Sequence, residues 1–269
     1  MIKTAKRVLL LIMAVISALA MTGCFDKSSG KTDDESTYPK IVVGSDLFEP
    51  YVYRDSEGKP AGIDVDIAKE AFKRMGYQPK FKFIVWENKK DYLDKKEIDC
   101  LWGCFSMNDR ENEYQWAGPY MYSRQMVCVR NGSQINSISD LSGKKIAVQE
   151  TGKAEEYFLN SDDKEVPDVK TVYAFSSMDE VCAALRKNYV DAIAGHESAL
   201  TALVNTAPEE YRIIDESIFI SKLGVAFSNN YDTEFVKKLN ETLLEMKNDG
   251  TLSEIIKKYD LDPKQVLEE

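Results

Sequence analysis

The 269 residues contain a single histidine, His196. The five cysteines are scattered, with no Cys-x-x-Cys pair, so a zinc site has neither the ligand set nor the spacing it needs, and no metal is expected. There is no Gly-x-Ser-x-Gly elbow, no Walker-type phosphate loop and no Gly-x-Gly-x-x-Gly turn, which leaves hydrolase, nucleotide and dinucleotide chemistry without their usual scaffolds. No cofactor is implied. Positive charge is also short: 35 Lys and Arg face 45 Asp and Glu, a formal net charge of −10. A nucleic-acid binder needs basic stripes that such a surface does not offer. Finally, the uncharged apolar run Val8 to Met21 has fourteen residues, too short for a bilayer core that takes about 20.

That run follows Lys3, Lys6 and Arg7, and a basic stretch before a short apolar one is an export signal, here residues 1–23. Its end, Met21-Thr22-Gly23-Cys24, resembles a bacterial lipobox with Met21 in place of the usual leucine. The resemblance implies cleavage before Cys24 and lipidation of its thiol, a palmitate-type anchor that holds the chain to the membrane without spanning it. Loss of residues 1–23 removes three positive and no negative charges, taking the net charge from −10 to −13. Residues 24–38 are polar, cannot bury a core and read as a flexible tether. Besides Cys24, the mature chain holds four cysteines, Cys100, Cys104, Cys128 and Cys182. Disulfides are open to an exported chain, but the apolar setting of Cys100 and Cys104 also suits small buried hydrophobes.

The remaining chain is organised around Pro50 to Gly76. An aromatic loop and the turn Glu57-Gly58-Lys59-Pro60 lead into Gly62-Ile63-Asp64-Val65-Asp66-Ile67 and a helix whose apolar positions 67, 68, 71, 72 and 75 share one face, closed by Gly76. Asp64 and Asp66 at its start read as caps, with ligand contact as the other possibility. Strands are expected at 41–44, 80–86 and 98–105, with helices between them, and such alternation argues for parallel βαβ units in an α/β protein. A loop-like stretch ends near Gly118-Pro119, and 125–130 is a strand. The pattern then restarts, with strands at 145–149, 171–175, 191–194, 212–215 and 222–227 and helices from 154, at 178–187 and 198–204, and finally at 233–248 and 251–259.

The Gly62–Ile67 stretch closely resembles the signature of the bacterial extracellular solute-binding proteins of family 3, the amino-acid receptors of ABC importers; Phe72 stands where that family usually has a small residue. Gly143-Lys144-Lys145-Ile146-Ala147-Val148-Gln149 resembles the strand opening the family's second lobe, and Lys247-Asn248-Asp249-Gly250-Thr251-Leu252 its terminal helix signature. The likeness runs from about residue 40 to 260. It implies the two-lobed type II periplasmic-binding fold, each lobe an open Rossmann-like sheet flanked by helices, with residues 39–127 and 221–269 in lobe 1, 128–220 in lobe 2, and a ligand in the cleft.

A free amino acid offers a carboxylate, an ammonium and a side chain, which call for a guanidinium with helix-start N–H groups, an acid, and apolar or aromatic walls. The resemblance implies Arg110 as the carboxylate clamp, although Asn108 replaces the usual Thr and Arg110 comes one residue early. Gly103 and Ser106 on the same loop would add main-chain and hydroxyl contacts. Phe48 and Trp86 match positions where the family stacks aromatics on ligand, and Thr151 and Gly152 sit at its helix-start anchor. Where the family has an ammonium-binding acid this chain has His196, with Glu197 beside it. The implied function is that of an extracytoplasmic, lipid-anchored monomer that delivers an amino acid or similar polar solute to an ABC permease. Two other readings remain: an enzyme on this scaffold, resembling the cyclohexadienyl dehydratases and using His196 with Glu197 as an acid–base pair, or a sensory module reporting a solute to a membrane partner.

Overall fold

In the computed structural model, which describes residues 37–160 and 166–268, the first β-branched run forms β1 (Lys40–Ser45). The export signal, Cys24 and nearly all of the tether lie outside the described residues. A small hairpin, β2 (Tyr53–Arg54) with β3 (Pro60–Ala61), closes around the turn read from Gly58. It leads into α1 (Ile63–Met75), which buries Ile67, Ala68, Ala71, Phe72 and Met75 along its apolar stripe. Gly76 ends α1 in the left-handed conformation, φ 78°, with its N–H on the Lys73 carbonyl and the next N–H, from Tyr77, on that of Phe72. That is the double bond of a Schellman cap, which only a residue at ease with positive φ completes cheaply.

The chain continues through β4 (Gln78–Phe83), α2 (Lys89–Asp94) and β5 (Cys100–Leu101). The long β6 (Gln115–Arg130) follows, then β7 (Lys145–Gln149), α3 (Lys153–Asn160), β8 (Thr171–Phe175), α4 (Met178–Arg186) and β9 (Ala192–His196). The last elements are α5 (Glu197–Thr206), β10 (Tyr211–Ile213), β11 (Phe219–Phe227), α6 (Thr233–Asn248), α7 (Thr251–Lys257) and α8 (Pro263–Leu267). In sheet order the strands run β4-β1-β5-β11-β6-β9-β7-β8, with β10 also on β6. Two parallel sets result. β1 pairs in parallel with β4 and β5, and β7 with β8 and β9, whereas β6 and β11 run antiparallel between them. β6 is the hinge of this topology: its first part pairs with β11, and residues from Gln125 onward pair with β9.

Three departures from the sequence expectation have physical causes. The strand expected over 98–105 pairs regularly only at Cys100 and Leu101: Cys104, at φ 50°, breaks the extended run, and the residues after it meet β11 only through isolated bonds, the Gly224 N–H on the Phe105 carbonyl and the Met107 N–H on that of Lys222. β6 begins ten residues before the strand expected at 125. Gly118-Pro119 reads as a loop, since proline lacks a ladder donor, yet here it sits where the β11 register slips between Leu223 and Val225, so no ladder bond is lost. The Gly118 N–H is taken instead by Asn240 Oδ1 at 2.8 Å. Third, Asp64 does not cap α1. It is fully buried and points away from the helix start, accepting from the Cys104 N–H at 2.7 Å and the Tyr120 hydroxyl at 2.8 Å. Burial pushes its carboxyl up to about 7 against these two bonds. Asp66 stays near the surface, 3.8 Å from Lys258 Nζ. All four described cysteines are free and buried.

Candidate functional site

A cavity lies where the two parallel strand sets meet, the kind of concave site that small molecules take. Its walls come from the carboxyl ends of strands in both sets, where open α/β sheets place their ligands. From the first set, Asp46 and Phe48 follow β1, Trp86 follows β4, and the segment after β5 gives Gly103, Cys104, Phe105, Ser106 and Arg110. From the second, Gln149 ends β7 and Thr151, Gly152 and Lys153 follow it, and Gly195 and His196 end β9; Gln125 comes from β6 and Met178 from α4. Phe48, Trp86, Gly103, Ser106, Arg110, Thr151, Gly152 and His196 are thus brought together. Glu197 is not among them: it opens α5 and pairs with the Arg124 guanidinium on the outer side of β6.

Aromatic edges shape one wall. Trp86 and Phe105 meet edge to face at 5.0 Å between centroids, and the Arg110 guanidinium lies 5.2 Å from the Phe105 ring. The same guanidinium, almost fully buried, spans the two strand sets. It donates to the Ser106 carbonyl at 3.4 Å and the Thr151 carbonyl at 3.1 Å, and forms an ion pair with Glu156 of α3. The second Glu156 oxygen takes Lys153 Nζ at 2.5 Å, and Lys153 also meets Asp109 at 2.8 Å. In this structure a carboxylate of the protein itself therefore occupies the guanidinium.

Two further bonds cross between the sets: Gln149 Nε2 to Asp46 Oδ2 at 2.6 Å, and Lys89 Nζ to Thr151 Oγ1 at 2.9 Å. Burial raises the Asp46 carboxyl to about 6, and lowers the Lys89 ammonium to about 8 with help from the Arg110 charge. The Thr151 N–H expected to face a ligand bonds Glu155 Oε2 at 2.6 Å, and that of Gly152 bonds the Gln149 carbonyl at 3.3 Å.

His196 is 9 % exposed and edge-on to Phe48 at 5.7 Å and Tyr51 at 6.3 Å. Burial first, then the Arg110 charge, lowers its imidazole to about 3, so the ring is neutral at physiological pH. Its Nε2 lies 2.9 Å from the Gln125 amide nitrogen. Gln125, Asp46, Gln149, Lys89 and Glu156 carry much of the site's polarity. Asp46 stands out in sequence as an acid just after a strand, but the others gave no signal, because each is polar in a segment whose period reads as ordinary strand or helix surface.

The model of "Bacterial extracellular solute-binding proteins, family 3" matches residues 41–262. The L-cystine-binding protein TcyA of Bacillus subtilis is 27 % identical over 94 % of this chain and 97 % of its own. Among solved structures, the arginine-, lysine-, histidine-binding protein ArtJ of Geobacillus stearothermophilus superposes with a TM-score of 0.74 at 28 % identity, covering 84 % of this chain and 97 % of its own. The ancestral amino-acid-binding protein AncCDT-1, a precursor of cyclohexadienyl dehydratase, gives a TM-score of 0.72 at 25 % identity, covering 82 % and 95 %.

Proposed function

The chain belongs to the bacterial extracellular solute-binding proteins of family 3, with their two-lobed type II periplasmic-binding fold, and from that premise we propose that it is a receptor that encloses a free amino acid and presents it to an ABC importer. The observation that carries this reading is the cavity in which Arg110, an acid and aromatic rings of the first strand set face the polar segments of the second. An α-carboxylate replaces Glu156 on the Arg110 guanidinium, where a planar two-oxygen anion fits the donor fork. Asp46, the acid lining the cavity, takes the ammonium that the family's missing acid would have held. Phe48, Trp86 and Phe105 wall the side chain. Binding and release need only hinge motion, with β6 and β11 as the two segments that join the lobes. We divide the lobes at 39–127 with 221–269, and 128–220, boundaries that fall inside those two strands. A lipid on Cys24 would keep the receptor, as a monomer, beside its permease on the outer face of the membrane.

The dehydratase reading has its one link in the likeness to AncCDT-1, itself an amino-acid-binding protein and a precursor of such an enzyme. Against it, the acid–base pair it would use is not assembled, because Glu197 is turned to the Arg124 guanidinium and His196 in the cavity wall bonds Gln125 instead. A thermal-shift screen of the full chain with the twenty amino acids and cystine tests the proposal. At least one compound should raise the melting temperature, since ligand at 100 times its Kd adds about 2.7 kcal/mol, and Arg110→Ala should abolish the rise. No shift with any of them, or chemical turnover of the stabilising compound, overturns the receptor reading.

A further inference from the structure

Gln125 and His196 face each other directly in the β6–β9 register, and both line the cavity. Gln125 is 1 % exposed, and its amide nitrogen serves both His196 Nε2 at 2.9 Å and Ser221 Oγ at 3.1 Å. The atoms left over are Gln125 Oε1 and His196 Nδ1, two of the three buried side-chain polar atoms without a partner among the described residues; the third, Trp102 Nε1, is outside the cavity wall. A buried polar atom is rarely left alone without a functional reason.

The chemistry of the unpaired atoms follows from the bonds already made. With the amide nitrogen donating to Nε2, the neutral ring carries its proton on Nδ1, so the pair offers one acceptor, Oε1, and one donor, Nδ1–H. If the amide is turned over, Oε1 accepts from Nε2–H, and the free atoms become an amide N–H and a bare Nδ1. Either assignment leaves one donor and one acceptor and no formal charge, so the result does not depend on amide or tautomer choice. No second acid is left for a cationic side chain, because Asp46 is taken by the ligand's ammonium and Glu197 is committed to Arg124.

We propose that Gln125 and His196 together read the ligand's side chain, and that they select an amino acid whose side chain is neutral and donates and accepts at once, a carboxamide as in glutamine or asparagine. A carboxylate would satisfy the donor and be repelled by the acceptor. An ammonium would satisfy the acceptor and face the donor, with the Arg110 charge nearby. A thioether or alkyl chain would leave both unpaired. Sites built this way reject analogues lacking the polar group far more strongly than apolar pockets reject a missing methylene. The inference rests on the receptor reading, since it assumes that an amino acid occupies the cavity.

Calorimetric titration of the full chain with L-glutamine, L-asparagine, L-methionine, L-glutamate and L-lysine tests it. One of the two carboxamides should bind at least about 100-fold more tightly than methionine, glutamate or lysine. Gln125→Leu should bring that ratio within tenfold while binding still depends on Arg110. Methionine, glutamate or lysine matching both carboxamides in the natural protein refutes the inference with no variant needed, and so does an unchanged ratio in folded Gln125→Leu. His196→Phe serves as the second variant, with the same expectation. Binding by none of the twenty amino acids or cystine instead removes the receptor reading and this inference with it.

Discussion

Glu156 holds the Arg110 guanidinium that the ligand's carboxylate must reach, so Glu156→Gln should move two measurements in opposite directions. The Arg110 side chain is 8 % exposed and that of Glu156 32 %. Exposed pairs are worth about 0.2–1 kcal/mol, while breaking a fully buried pair costs about 3–5 kcal/mol. A carboxylate one-third exposed and shared with Lys153 falls between them, at about 1–2 kcal/mol. Without its ligand the variant should lose about that much stability in urea unfolding, because the buried cation keeps neutral acceptors but loses its counter-charge. Its affinity should rise about 5- to 30-fold, the same free energy at 1.4 kcal/mol per tenfold. Isothermal titration with the amino acid that gives the largest thermal shift reads the second effect. If affinity falls in the variant, Glu156 supports the guanidinium for the ligand instead of competing with it, and the displacement argument is wrong.

The remaining predictions concern the frame of the site. The Asp64 carboxyl is raised to about 7 by burial, so the native state binds a proton that the unfolded chain gives up near 3.9. Stability should therefore be fully present below about pH 4 and decline as pH rises toward 7, and Asp64→Asn should flatten that decline in unfolding measured across the window. In the same variant the amide oxygen can keep the Cys104 N–H while the amide nitrogen donates to the Tyr120 hydroxyl oxygen, so a cooperative transition should persist. Phe72 is fully buried, 5.7 Å edge-on to Trp102 and 6.4 Å from a parallel Phe235. Phe72→Ala should cost about 3–5 kcal/mol in chemical unfolding. A loss under about 1 kcal/mol would mean that the neighbouring rings close the gap.

Much of the frame was legible because it is written in local terms. The α1 stripe and its Gly76 cap recur within single turns of helix, and β1 and β7 are short β-branched runs next to turns. His196 was legible as a departure, since a familiar strand ended on an unfamiliar residue. What could not be read depends on partners far apart in the chain. Arg110 is visible as a lone cation, but nothing near it in sequence points to Glu156, which arrives on a helix of the other strand set. Asp64 reads as a cap by position and is drawn inward by Cys104 and Tyr120, neither of which is adjacent. Pro119 ends a strand by every local rule, and only the slipped register of β11 explains why the strand passes through it. Gln125 heads an apolar run and looks incidental until β9 sets His196 opposite.

The most direct test is a crystal structure of the protein with the amino acid that most raises its melting temperature. The account predicts that ligand in the cavity between the strand sets, its carboxylate oxygens within hydrogen-bond distance of the Arg110 guanidinium and Glu156 moved off it. A ligand bound elsewhere, or one in the cavity with Arg110 still paired to Glu156, would contradict it.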